Sequence, residues 1–246
     1  MFSHSAKQGN FPHLMSKDEI ALLQYYLRKV SKYTEFGSGA STCDALSFKN
    51  ILSIHSVEYD LLWFEKMHDI ESIKTGISSG RLSLHYADIG ATRKSYPAHS
   101  WHTHKWPYCF WGIWKYIQND ADFILIDGRF RVATAFMALV FNKKNYWTFA
   151  IHDFPDRKHY HIVKKYSTEI ETSGTLSIFM PNKYINMQEL LLDLYDYIFL
   201  PDDHVNSRCI ARLYDKPINH LWEYFIDKAI KLHDATLLKK RRALKR

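Results

Sequence analysis

Short apolar runs alternate along this chain with stretches in which apolar residues recur every three or four positions. Ile20, Leu23, Leu27 and Val30 follow the capping box Ser16-Lys17-Asp18-Glu19 and predict a first helix ending near Val30. Tyr33-Thr34-Glu35-Phe36 reads as a short strand, Gly37-Ser38-Gly39 as a tight turn, and Ser41 and Thr42 as the start of a helix carrying Ala45, Leu46 and Phe48. Residues 51–57 form a second predicted strand closed by Glu58, residues 61–67 a helix, and residues 81–86 a third strand ended by Asp88. A long loop, 89–106, precedes Pro107, which suits the first position of a helix through Ile117. Residues 122–127 read as a fourth, doubly buried strand, 130–141 as its helix, and 146–151 as a fifth strand ending at His152-Asp153. A helix over about 156–165 and a hairpin joining Glu169-Ile170 to Leu176-Ser177-Ile178-Phe179 complete the pattern.

Strands alternating with helices, then a terminal antiparallel pair, predict an α/β doubly wound, mostly parallel sheet. Beyond Pro201 the pattern changes. Ile218, Leu221, Trp222, Phe225, Ala229 and Leu232 make one helical apolar stripe, suited to fold back on the domain or to meet a second subunit in a homodimer. The expected organisation is an N-terminal arm over 1–15, the α/β domain over 16–200, and a helical, basic extension over 201–246.

Composition changes this picture little. At 246 residues, 46% hydrophobic and 24% charged, the chain has the length and balance of one large soluble domain with an appendage. Cys43, Cys109 and Cys209 are scattered and odd in number, which argues against a disulfide framework or zinc ribbon and favours a reducing compartment. No run is long enough to span a membrane, and the N-terminus lacks the apolar core of a signal peptide, so a cytoplasmic location is expected. The net charge of +7 is concentrated at one end, where Lys239, Lys240, Arg241, Arg242, Lys245 and Arg246 fall within eight residues. A basic groove across the whole domain is therefore not indicated. The cluster itself fits a solvated helix end, or contact with anionic lipid or RNA.

The candidate chemistry lies at the carboxyl ends of the strands, where open α/β sheets bind ligands. Glu35 and the glycines end the first strand, Glu58 the second, Asp88 the third, Asp127 the fourth and His152-Asp153 the fifth. Glu58 stands 19 residues beyond Gly39, a separation that lets an acidic side chain meet a ribose diol. A dinucleotide site normally has a third glycine where this chain has Ser41, and a carboxylate at Glu35 would repel a pyrophosphate. The same carboxylate suits the cationic amino group of a methionine moiety.

On Glu35-Phe36-Gly37-Ser38-Gly39, Glu58, Asp88 and Asp127-Gly128-Arg129-Phe130-Arg131, the chain resembles the class I S-adenosylmethionine-dependent methyltransferases over about residues 17–200. The resemblance implies a seven-stranded sheet whose last strand is antiparallel. It also implies that Glu35, Gly37, Ser38, Gly39, Ser41 and Thr42 surround the methionine part of the cofactor, Glu58 the ribose and Asp88 the adenine amino group, while Asp127 faces methyl donor and acceptor. The Asn/Asp-Pro-Pro-Tyr/Phe motif of base-methylating enzymes is absent, which argues against base N-methylation. Asp127 and Asp153 match two metal ligands of catechol-type enzymes, but Phe154 stands in place of the third, and no metal is assigned.

Methyl transfer from a sulfonium to a hydroxyl needs in-line alignment and a base. Asp127 and His152 are the candidates by position, with Asp153 orienting one of them. The loop holding Trp101, His102, His104, Trp106 and Tyr108 would overhang an acceptor pocket, its rings facing a sugar or aromatic acceptor and its histidines bonding hydroxyls. His102, His104 and Cys109 lack a fourth ligand for zinc. Arg129 and Arg131 could meet an acceptor's phosphate or carboxylate, or pair at the helix start. The favoured reading is O-methylation of a sugar hydroxyl in a glycan or its precursor. The alternatives are an RNA or protein methyltransferase using the basic tail, and a catalytically silent methyltransferase-like binding domain.

Overall fold

The computed structural model describes residues 12–93 and 95–201. The expected C-terminal helix, its homodimer role, the basic cluster and Cys209 lie outside them, as does the expected arm up to residue 11. The rest of that arm is packed down: Met15 is buried, and His13 Nε2 lies 3.3 Å from Asp44.

The elements in order are α1 (Lys17–Leu27), β1 (Lys32–Phe36), α2 (Ala40–Ser47), β2 (Ser53–Glu58), α3 (Leu61–His68), α4 (Glu71–Ser78), β3 (Leu82–Tyr86), the short pair β4 (Thr92–Arg93) and β5 (Tyr96–Pro97), β6 (Phe123–Ile126), α5 (Arg131–Phe141), β7 (Thr148–Ile151), β8 (Ser167–Ser173), β9 (Leu176–Pro181) and α6 (Met187–Tyr195). The seven-stranded sheet runs β3-β2-β1-β6-β7-β9-β8. The first five strands are parallel, and β9 runs antiparallel to both β7 and β8. The doubly wound sheet with an antiparallel last strand is thus present. Its order reverses between β1 and β6, so the crevice that can admit a ligand opens where Phe36-Gly37 and Asp127-Gly128 leave the sheet.

Alternation along the strands sends side chains to two cores. Tyr33, Ile54, Phe123, Leu125, Ala150 and Ile178 pack with α1, α2 and α4 on one face. Phe36, Val57, Ile124, Ile126, Phe149, Ile151 and Phe179 pack with α5 and α6 on the other. Because β6 is buried on both faces, it carries four consecutive apolar residues.

Three expectations are corrected. The helix expected over 107–117 is two 3-10 segments, Ser100–Tyr108 and Gly112–Lys115. Pro107 lies inside the first, where it has no N–H to give to the preceding turn, and the aromatic-rich sequence is a weak helix former. The helix expected over 156–165 is likewise a 3-10 segment, Lys158–Lys165. The first helix stops at Leu27 rather than near Val30. The structure also adds α4, whose Gly76 and serines disguise it, and α6, capped by the Asn186 side chain on the Glu189 N–H.

Candidate active site

The turn after β1 is fixed from beneath. Glu35 is fully buried, and its carboxylate accepts hydrogen bonds from the hydroxyls of Tyr33 (2.9 Å), Ser41 (2.7 Å), Ser56 (2.7 Å) and Thr42. Parallel register places Ser56 opposite Glu35, which brings one of those hydroxyls across from β2. Burial lifts the Glu35 carboxyl above its ordinary range in spite of the four donors. A carboxylate so enclosed ties β1, β2 and the start of α2 together beneath the turn. Ser41 and Thr42 are buried in the same cluster, and Thr42 Oγ1 also accepts from the Gly39 N–H at 3.0 Å.

Gly37 adopts φ +102°, and a Cβ there would stand 2.9 Å from the Gly128 nitrogen. The glycine turn is therefore in backbone contact with the Asp127-Gly128 turn across the switch point. Gly37→Ala is expected to cost about 1–3 kcal/mol of stability, read by thermal or denaturant unfolding.

Beside the turn, Glu58 is buried and accepts from the N–H groups of Ser38 (3.1 Å), Tyr59 (2.8 Å) and Asp60 (2.8 Å). Burial outweighs these three bonds and pushes its pKa up to about 7. Several neighbours were not legible as site residues. Ser56 Oγ bonds Ser38 Oγ at 2.6 Å, Trp63 Nε1 donates to the Ser38 carbonyl at 2.7 Å, and the Tyr59 hydroxyl accepts from the Arg129 N–H. Asp60, two residues after Glu58, caps α3 and accepts from the Thr92 hydroxyl, which fastens the β4–β5 hairpin to the strand ends.

Asp88 is partly exposed. It accepts from the Gly90 N–H at 2.8 Å and pairs with Lys105 at 2.6 Å, which holds its carboxyl below the usual range. Lys105 sits in the overhanging loop and ties it to the end of β3. The aromatic residues of that loop divide. Trp101 is 67% exposed and stacks on His99 with ring centres 4.1 Å apart, and His104 is exposed. Tyr108 is half-buried beside Tyr116, whereas Trp106 is buried against Phe130 and has no face to offer an acceptor. His102 packs on Gly90, with its Nδ1 buried.

Asp127, His152 and Asp153 do converge. His152 Nδ1 lies 2.8 Å from Asp127 Oδ1, and His152 is buried. Burial works against its charged form, but the bond and charge of Asp127 outweigh this and raise its pKa. Asp153, at φ +58°, accepts from Arg131 (2.9 Å) and Arg157 (2.8 Å). The charges of Arg131, His152 and Arg157 overcome the opposing effect of burial and hold its carboxyl low.

Arg131 is buried and donates to Gly128 O (2.8 Å), His152 O, Asp153 Oδ2 and Asp127 O (3.3 Å). It braces the ends of β6 and β7, which is the pairing at the helix start rather than the contact with an acceptor that the sequence also allowed. Arg129 differs. It is half-buried, lies over the Tyr96 ring at 3.7 Å, bonds the Tyr96 hydroxyl at 2.8 Å, and has no carboxylate partner among the described residues. No group of three or more His, Cys, Asp or Glu residues there is arranged to hold a metal ion.

Strand order, the antiparallel β9 and the glycine turn packed on the end of β6 together define the fold of the class I S-adenosylmethionine-dependent methyltransferases. Among solved structures, a methyltransferase-like protein from Silicibacter pomeroyi DSS-3 shares it with a TM-score of 0.66, at 22% identity over 78% of this chain and 99% of that one. A protein from Streptococcus mutans in complex with SAH, described as a candidate methyltransferase, is far more remote, with a TM-score of 0.42 at 12% identity over 68% of this chain and 100% of its own. Spermidine synthase from Thermotoga maritima is as distant, at 0.40 and 15% identity over 85% of this chain and 71% of that one. No protein-family model and no curated protein matches the sequence.

Proposed function

We propose that the protein transfers a methyl group from S-adenosylmethionine to a hydroxyl of a small acceptor, with a sugar hydroxyl of a glycan or its precursor as the leading candidate. The observation that carries the reading is the chain of contacts at the strand ends, in which Gly37 packs on Gly128 and the Ser38 N–H bonds Glu58 at 3.1 Å. It combines a bare backbone, a buried carboxylate for a diol and a second carboxylate beyond the sheet. In this reading the backbone of the turn meets the methionine part, Glu58 accepts from the ribose hydroxyls, and the adenine amino group shares Asp88 with Lys105. When bound, the donor supplies an electrophilic methyl on a sulfonium. Asp127, its Oδ1 held by His152, turns its other oxygen to the acceptor hydroxyl and takes its proton.

Arg129, half-buried over the Tyr96 ring two residues beyond Asp127, is the group that would meet a negative group on the acceptor, such as the phosphate of a nucleotide- or lipid-linked sugar. Among the described residues no helix is long and apolar enough to cross a membrane. The test is methyl transfer from labelled donor to a panel of sugars, sugar phosphates, RNA and protein. Label in a sugar-hydroxyl product supports the reading. Label in RNA, lost on removal of residues 239–246, would replace it with the alternative that uses the basic tail.

A further inference from the structure

Glu19 reads from sequence only as the partner of Ser16 in a capping box, and that role is present: Glu19 Oε2 accepts from the Ser16 N–H at 2.6 Å. Yet the side chain is buried, which a surface cap does not require. Its Oε1 accepts from the backbone N–H and, at 2.7 Å, the hydroxyl of Thr175, in the turn between β8 and β9. Its Oε2 stands 3.9 Å from His152 Nε2. The His152 ring thus lies between two carboxylates, Asp127 on Nδ1 and Glu19 on Nε2.

From this arrangement we infer that Glu19 is a positioning residue of the reaction centre, acting across His152 to keep the imidazole charged and oriented so that it holds Asp127 Oδ1. The chemistry follows from the two ring nitrogens. If His152 were neutral with its proton on Nδ1 toward Asp127, the Nε2 lone pair would face the Glu19 carboxylate, which repels it. Protonation of Nε2 turns that repulsion into attraction. The other groups around the ring are Asp153, whose Oδ1 is 4.0 Å from Nδ1 and adds to the effect, and Arg131, whose charge opposes it. Glu19 itself stays ionised in the working range: burial favours its neutral form, but the bonds from Thr175 and Ser16 prevail and bring its pKa to about 2. The fold thereby makes the first turn of α1 part of the wall behind the Asp127 carboxylate.

The role of Asp127 rests on the methyl-transfer reading, but the experiment requires neither donor nor acceptor, so the two can fail separately. It is the titration of the His152 ring by NMR in the full chain carrying labelled histidine, with the resonance assigned by its loss in His152→Gln. In the wild type the midpoint is expected above that of an ordinary histidine, and Glu19→Gln is expected to lower it by on the order of one pH unit. Thr175→Val removes a hydroxyl donor to Glu19 and keeps its charge, so it is expected to leave the midpoint within a few tenths of a unit. A wild-type midpoint at or below the ordinary value would overturn the inference even if Glu19→Gln does not fold. Equal midpoints in wild type and Glu19→Gln would do the same.

Discussion

Glu58→Ala is expected to weaken binding of S-adenosylmethionine by about a hundredfold or more, since two charge-assisted hydrogen bonds from a ribose diol are lost together. The carboxylate is already desolvated in the free protein, held by three backbone N–H groups, so no reorganisation is needed when the diol arrives. Its pKa of about 7 adds a pH signature. The ionised form accepts from both hydroxyls, and the neutral form must spend its own proton on one of them. Affinity is therefore expected to fall about tenfold between pH 8 and pH 6, the proton having to leave before the ligand binds. For stability the sign is opposite. A carboxyl whose pKa rises on folding contributes stability that is full below its unfolded value of 4.5 and lost as pH rises through about 7. Glu58→Gln is not a silent replacement. Its carbonyl can take the Tyr59 and Asp60 donors, but its amide nitrogen then confronts the Ser38 N–H, so the turn is expected to loosen as the pH dependence disappears. Titration calorimetry across pH 6–8 reads the affinities, and thermal unfolding followed from pH 4 to pH 8 reads the stability.

The second large effect concerns the reacting end. Asp127→Asn keeps the shape of the side chain and removes the proton acceptor. Turnover is expected to fall by about 10²- to 10⁴-fold while donor affinity changes no more than about tenfold. Single-turnover rates with labelled donor separate the two quantities. Because Asp127 accepts from His152 and also lies 3.3 Å from Arg131, the variant leaves the imidazole with one carboxylate fewer. His152 is then expected to titrate lower, a change visible without substrate.

Local signals in the sequence marked the strand ends well. The glycine turn, Glu58, Asp88, Asp127 and the His152-Asp153 pair sit at the ends of strands with strong apolar patterns, and those patterns do not depend on distant contacts. What the sequence hid is what tertiary packing decides. Glu35 was legible as an acidic residue at the turn but not as a buried one, because the hydroxyls of Tyr33 and Ser56 that enclose it come together only through strand register. Arg131 and Arg129 are two residues apart and look alike in sequence. The first faces the ends of β6 and β7, the second a tyrosine from a hairpin that had read as plain loop. The 3-10 character of the overhanging loop follows from Pro107 lying inside it instead of at its start. Glu19 was the deepest concealment, since its capping role was correct and complete in itself, with nothing to show that its side chain also meets Thr175 and His152.

The most direct test of the central claim, that the crevice between β1 and β6 is a methyl-donor site, is titration of the full chain with S-adenosylmethionine by calorimetry at pH 8. The expected result is saturable one-to-one binding with a Kd on the order of micromolar, lost in Glu58→Ala. No heat of binding at millimolar donor, from protein shown to be folded, would contradict it.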